Sequence, residues 1–268
     1  MKTTTDRIGG AFAKAREEGR AALMPYMMGG FPSTDGARAI ARAYADSGAD
    51  LIELGIPYSD PLADGPVIHA AATAALEAGA DLDSALEPCK EVSGELPVVV
   101  MAYSNMILAT GEIEFAERLA TVRAAGVIVP DLPLGEGASI RTALSASGLA
   151  LVPLIAPTTP EARRKEICAG AEGFVYLVST VGVTGERAGL PPELADLVAR
   201  AKEEAEVPVA VGFGISTPEQ VAEVGGTADG VIVGSRLVRA VEDSSGTDEA
   251  VAAVSEFLAE AREALSRD

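Results

Sequence analysis

The sequence predicts an α/β fold: a single (β/α)8 TIM barrel over residues 1–268, with an extra N-terminal helix and an extra helix after strand two. Three observations carry this. About eight short apolar runs recur from Ala22 onward, each is followed by an Ala-rich, Glu/Arg-rich stretch of helical character, and no long linker separates them. Strands that alternate with helices pair in parallel, and eight such units close into a barrel.

The strand candidates are residues 23–28, 51–55, 98–101, 127–129, 149–155, 174–178, 209–211 and 230–233. Residues 1–19 read as a helix ahead of the first strand, and residues 81–92 as the extra helix after the second. Helix starts are marked at Ser33-Thr34-Asp35, Thr158-Thr159-Pro160-Glu161 and Ser216-Thr217-Pro218-Glu219, where cap residues precede proline or acid in a first turn. A doubly wound open sheet is the competing architecture. Against it, the glycine fingerprint of a dinucleotide site is missing after the first strand, and glycines gather instead at the last two.

Composition excludes several functions. At 268 residues and 48% hydrophobic, the chain can bury a large core. Its 40 acidic against 21 basic residues give a formal charge of -19, which repels nucleic acid and anionic membrane surfaces. Any bound phosphate must therefore be held by local backbone N–H groups. Cys89 and Cys168 lie far apart in helix-like segments and read as reduced thiols of a cytoplasmic protein. The first twenty residues lack the apolar region of a secretory signal, and no run approaches the roughly 20 apolar residues of a membrane span.

Active sites of such barrels lie at the C-terminal ends of the strands. There Glu53 occupies an otherwise apolar strand, and a carboxylate without a partner in apolar surroundings has its pKa raised towards neutrality. It reads as a proton-transfer group. Asp60 and Asp64 follow in a loop stiffened by Pro57 and Pro61, and Asp131 lies after the fourth strand; each is either a turn or cap residue or part of the site. Val211-Gly212-Phe213-Gly214 and Val233-Gly234-Ser235 end the last two strands, where glycines let an anion approach backbone N–H groups and a helix N-terminus. Residues 179–189 form a further glycine-bearing loop, either a lid or an ordinary surface loop.

Absences narrow the chemistry. Lys2, Lys14, Lys90, Lys165 and Lys202 all fall in terminal or helical segments, which disfavours a Schiff base at a strand end. The single histidine, His69, is too little for a catalytic zinc and reads as a surface or packing residue. Carboxylate acid/base catalysis on a phosphorylated substrate remains.

The run from Glu53 through Tyr58, Asp60 and Asp64 to Pro66 resembles the signature of the tryptophan synthase α chain family. Met24-Pro25-Tyr26, Tyr103-Ser104-Asn105, Asp131-Leu132-Pro133, Gly182 to Gly185, Gly212 to Gly214 and Gly234-Ser235 follow in the family's order, over nearly the whole chain. The resemblance implies retro-aldol cleavage of indole-3-glycerol phosphate to indole and glyceraldehyde 3-phosphate. It assigns Glu53 and Asp64 as catalytic, and Tyr26, Met101, Tyr103, Ile128, Ile155, Tyr176 and Phe213 to the substrate pocket, where most are equally plausible as barrel core. Gly185, Gly214, Gly234 and Ser235 carry over as phosphate ligands, and Pro57 and Asp60 as contacts with a β chain, through which the two active sites are coupled. It further implies an α2β2 assembly, no cofactor in this chain, and pyridoxal phosphate in the β chain alone. Two departures stand out: Met28 occupies a position where members commonly carry Thr, and the lid after Gly185 is short beside some relatives. Rival readings are another phosphate-binding barrel enzyme, such as a sugar-phosphate epimerase or indole-glycerol-phosphate synthase, a non-catalytic activator of a partner, and a stand-alone lyase. Missing metal ligands and rim lysines disfavour the first, and the retained Glu53 and Asp64 the second.

Overall fold

A computed structural model of the chain describes residues 4–133, 135–178, 194–212 and 214–266. The first helix, α1 (Thr4–Glu17), leads into β1 (Ala22–Met28), α2 (Thr34–Asp46) and β2 (Ile52–Gly55). After a loop come α3 (Pro66–Glu77), α4 (Leu82–Ala85), α5 (Glu87–Val92) and β3 (Val98–Met101). The chain continues through α6 (Ser104–Thr110), α7 (Glu112–Thr121), β4 (Gly126–Ile128), α8 (Ala138–Ala146), β5 (Ala150–Val152), β6 (Leu154–Ile155) and α9 (Glu161–Ala169). It ends with β7 (Val175–Val178), α10 (Leu194–Glu204), β8 (Val209–Gly212), α11 (Pro218–Gly225), β9 (Gly230–Val233), α12 (Ser235–Glu242) and α13 (Thr247–Leu265).

Among the described residues nine strands pair in parallel, in the order β5-β4-β3-β2-β1-β9-β8-β7-β6. The two strands at the ends of this order, β5 and β6, are consecutive in the chain and separated only by Pro153. They are two halves of one stave, and through them the eight-stave TIM barrel closes. The sequence predicts one strand over 149–155; it splits because Pro153 has no N–H for the ladder. Its carbonyl still accepts from the Tyr176 N–H at 2.9 Å.

Strand residues alternate between two faces. Inward-facing Met24, Val99, Ile128, Val152 and Ile232 fill the barrel, while Leu54, Val100, Leu177, Val211 and Val231 pack against the surrounding helices. The predicted N-terminal helix is α1, and it closes the lower mouth: Ile8, Phe12 and Ala15 are buried among the inward-facing side chains. Phe12 packs 5.7 Å from the Phe174 ring, and a Cβ at Gly230 would come within 2.8 Å of the Phe12 ring, so that approach requires glycine. The other mouth is left for chemistry. Above it Tyr26, Met28, Val67, Ile68, Ala71 and Val238 form a small upper cluster under α3 and α12.

The helix predicted at 81–92 is two helices. Asp81 and Ser84 form a capping box at the start of α4, and the chain breaks at Leu86 because Pro88 lacks the N–H that would continue the ladder. Ser33 caps α2 and Thr217 caps α11 as expected. At α9 the cap position is Pro160, and the Thr159 hydroxyl instead accepts from the Ala156 N–H at 2.9 Å.

Below β1 the Arg20 guanidinium is forked onto Asp50 at 2.5 and 2.8 Å, and Asp50 also accepts the Leu23 N–H at 2.8 Å. Both side chains are buried. Arg20 also donates to the Glu18 carboxylate at 2.8 and 3.0 Å and to the Ala21 carbonyl at 2.9 Å, so Asp50→Ala leaves the guanidinium partly paired while removing the fork and the acceptor of the Leu23 N–H. Chemical denaturation of this variant is expected to show a loss of about 1–3 kcal/mol, and no measurable loss would contradict the structural role given to the pair.

Candidate active site

Glu53 lies on the inward face of β2, in register with Tyr26 on β1, and is only 2% exposed. Burial first, and the neighbouring Asp64 charge second, push its carboxyl up to about 8. The Tyr176 hydroxyl makes a long 3.5 Å contact to its Oε2 and opposes that rise.

Asp64 reaches the same place from the loop after β2. The Tyr103 hydroxyl donates to its Oδ1 at 3.1 Å and accepts the Ala63 N–H at 3.1 Å, so one side chain fastens both loop backbone and carboxylate. Tyr103 stacks on Tyr58, with centroids 5.1 Å apart, and Asn105 donates to the Tyr58 hydroxyl at 3.2 Å. Burial raises the Asp64 carboxyl, while the Tyr103 bond and the His69 side chain oppose the rise. The site thus holds two carboxyls of different character: a dry one on a strand and a tethered, half-buried one on a loop. Such a pair can divide acid/base work, because the group that ionises first holds the other protonated.

Two tyrosines flank Glu53, and each lies over a glycine. A Cβ at Gly55 would be 2.1 Å from the Tyr26 Oη, and one at Gly212 would be 2.4 Å from the Tyr176 Oη. Gly212, which the sequence points to as part of an anion-binding turn, makes room for Tyr176. Met101 and Ile128 join the inward-facing wall. Ile155 does not: Leu154 pairs in register with inward-facing Tyr176, so Leu154 faces the interior and Ile155 packs in the helix layer.

On the same rim, one strand beyond β1, Gly234 follows β9 and opens α12, whose start has no side-chain cap. Ser235 is partly exposed beside it, and Gly214 takes a positive φ of 79°. Gly185, Phe213 and the 179–189 loop lie outside the described residues. Asp131 turns out to be a fastener: it accepts from the Ser104 N–H at 2.8 Å and hydroxyl at 2.7 Å, holding the start of α6. Lys14, Lys90, Lys165 and Lys202 lie on α1, α5, α9 and α10, away from the strand ends. Among the described residues no cluster of His, Cys, Asp and Glu could hold a metal ion, and no helix is long and apolar enough to cross a membrane.

A family model described as the tryptophan synthase alpha chain matches residues 12–266. The chain belongs to the tryptophan synthase alpha chain family. It is 47% identical over 239 residues to the alpha chain of Carboxydothermus hydrogenoformans, covering 88% of this chain and 90% of that one. With the alpha chain of Synechococcus elongatus it shares 43% identity over 263 residues, 97% of each. A structure of Mycobacterium tuberculosis tryptophan synthase superimposes with a TM-score of 0.89 at 36% identity, over 98% of this chain and 99% of that one. Membership identifies a lyase of tryptophan biosynthesis built on a TIM barrel.

Seen as an alpha chain, the protein holds features that sequence reasoning missed. Leu154 was hidden by the Pro153 break. Leu62, 83% exposed on the loop between Asp60 and Asp64, looks ordinary in sequence and is conspicuous only as an apolar side chain left in solvent. On that loop Pro57 is buried, whereas Asp60 is exposed and accepts from the Ser59 hydroxyl at 2.5 Å. Met28 packs in the upper cluster beside Tyr26.

Proposed function

We propose that this alpha chain, acting as one barrel domain in the cytoplasm, cleaves indole-3-glycerol phosphate to indole and glyceraldehyde 3-phosphate. The observation that carries the reading is the buried Glu53 carboxyl, protonated up to about pH 8, beside a second carboxylate. Protonated Glu53 delivers its proton to indole C3, and Asp64 accepts the ring N–H and stabilises the positive charge that develops there. The carboxylate left on Glu53 takes the proton from the hydroxyl on the adjacent side-chain carbon. The carbon–carbon bond then breaks, its electron pair returns to the ring, and the aldehyde leaves. Gly214, Gly234 and Ser235, with Gly185, hold the phosphate at the start of α12, where N–H groups and the helix dipole favour an anion. Tyr26, Met101, Ile128 and Tyr176 wall the ring, joined by Leu154.

In this reading the chain needs no cofactor, and indole passes to a pyridoxal-phosphate-containing β chain in an α2β2 assembly. The loop bearing Pro57, Asp60 and the exposed Leu62 meets that partner, and because Asp64 lies on the same loop, docking bears directly on the catalytic carboxylate.

The pH profile tests the acid. The reaction needs protonated Glu53, so kcat for indole release is expected to hold steady towards neutrality and to fall about tenfold per unit above roughly pH 8. A rate that stays flat to pH 10 would rule out Glu53 as the acid.

A further inference from the structure

We propose that the Tyr26 hydroxyl is a substrate-recognition group that hydrogen-bonds a hydroxyl of the three-carbon chain joining the indole ring to the phosphate. The inference rests on the cleavage reading above and extends it, since the pocket role given to Tyr26 needs only its ring.

The chain has five tyrosines. Four hydroxyls have partners: Tyr44 donates to the Tyr26 carbonyl, Tyr58 accepts from Asn105, Tyr103 joins Ala63 to Asp64, and Tyr176 contacts Glu53. Tyr26 is 4% exposed, and its Oη is the buried side-chain polar atom left without a hydrogen-bond partner among the described residues. Buried tyrosine hydroxyls ordinarily find one, and leaving one unpaired is unfavourable. Phenylalanine would fill the same space without that cost.

The hydroxyl is held where it is. Its Oη occupies the space a side chain on Gly55 would need, directly along the face that carries Glu53. The other end of the residue lies towards the phosphate rim, with the Tyr26 Cβ 3.7 Å from where a Cβ on Gly234 would be. Strand β1 lies between β9 and β2. A ligand with its phosphate at α12 and its reacting carbon at Glu53 must therefore lay its connecting chain across Tyr26. That chain carries two hydroxyls, and the phenol facing it is kept neutral by burial and by the nearby Asp64 charge, so it arrives as a donor.

The test is Tyr26→Phe in the full chain, assembled with its β partner. Three quantities are compared with wild type: kcat/KM for indole-3-glycerol phosphate, the Kd of indole-3-propanol phosphate, which lacks both chain hydroxyls, and the ligand-free melting temperature. The expected result is a three- to tenfold fall in kcat/KM, the size of one neutral hydrogen bond, with the propanol phosphate Kd unchanged and the melting temperature equal or higher. An unchanged kcat/KM overturns the proposal, as does an equal loss for both ligands, which would mean the hydroxyl acts through packing. A lower melting temperature also overturns it, by revealing a structural partner. Wild type that binds neither ligand removes the cleavage reading itself, whereas wild type that cleaves normally alongside an unaffected Tyr26→Phe removes only the role of the hydroxyl.

Discussion

Glu53→Gln is expected to lower kcat for indole release by about 10²–10⁴-fold and, in the same protein, to raise stability at alkaline pH. The two effects share one cause. Glutamine keeps the shape of the side chain but has no proton to give to indole C3. It also has no charge to bury. In wild type, burial lifts the carboxyl from 4.5 to about 8, so between these values the folded protein holds a proton that the unfolded chain has released. Wild-type stability is therefore fully present below about pH 4.5 and drains away up to about pH 8, at roughly 1.4 kcal/mol per unit. The variant escapes this loss, and its advantage is greatest above pH 8. Thermal unfolding at pH 6 and pH 9, run beside single-turnover cleavage, reads both effects. A variant that keeps its rate, or that gains nothing at pH 9 relative to pH 6, contradicts the description of Glu53 as a dry acid.

Asp64→Asn is expected to lower kcat by about 10²–10³-fold for a different reason. Asparagine can still accept the Tyr103 hydroxyl, now at 3.1 Å from Oδ1, so the loop keeps its fastening. What disappears is the negative charge that, in the proposed reaction, stabilises the cationic ring. The same charge raises Glu53, so the variant also moves the alkaline limb of the pH profile below pH 8. Burial, the larger cause, remains and keeps Glu53 above its ordinary value. A reduced rate with an unmoved alkaline limb would show that the two carboxyls do not communicate.

How much of this was legible in sequence depends on the range of each interaction. Glu53 stood out because local apolar surroundings alone mark a buried acid. The strands and α1 were legible for the same reason, since apolar runs and periodicity are local. The breaks at Pro88 and Pro153 were written in the sequence too, yet each lay inside a pattern that otherwise read as continuous. The second had the larger consequence: across Pro153 the inward-facing position is Leu154, and a one-residue error of parity places Ile155 in the pocket when it packs on the helix layer. Long-range fits were not legible at all. Nothing near Gly55 or Gly212 announces a tyrosine from the neighbouring strand, and nothing near Asp64 announces Tyr103 from the end of β3. Asp131 shows the converse, a rim acid whose bonds to Ser104 can be seen only once two loops are brought together.

The most direct measurement is the steady-state rate of indole-3-glycerol phosphate cleavage by the wild-type chain, alone and with a pyridoxal-phosphate-containing β chain. Slow indole release alone, strongly stimulated by the partner, is the predicted result. Rapid cleavage indifferent to the partner would make the protein a stand-alone lyase, and no cleavage in either setting would contradict the substrate on which the account of Glu53 and Asp64 depends.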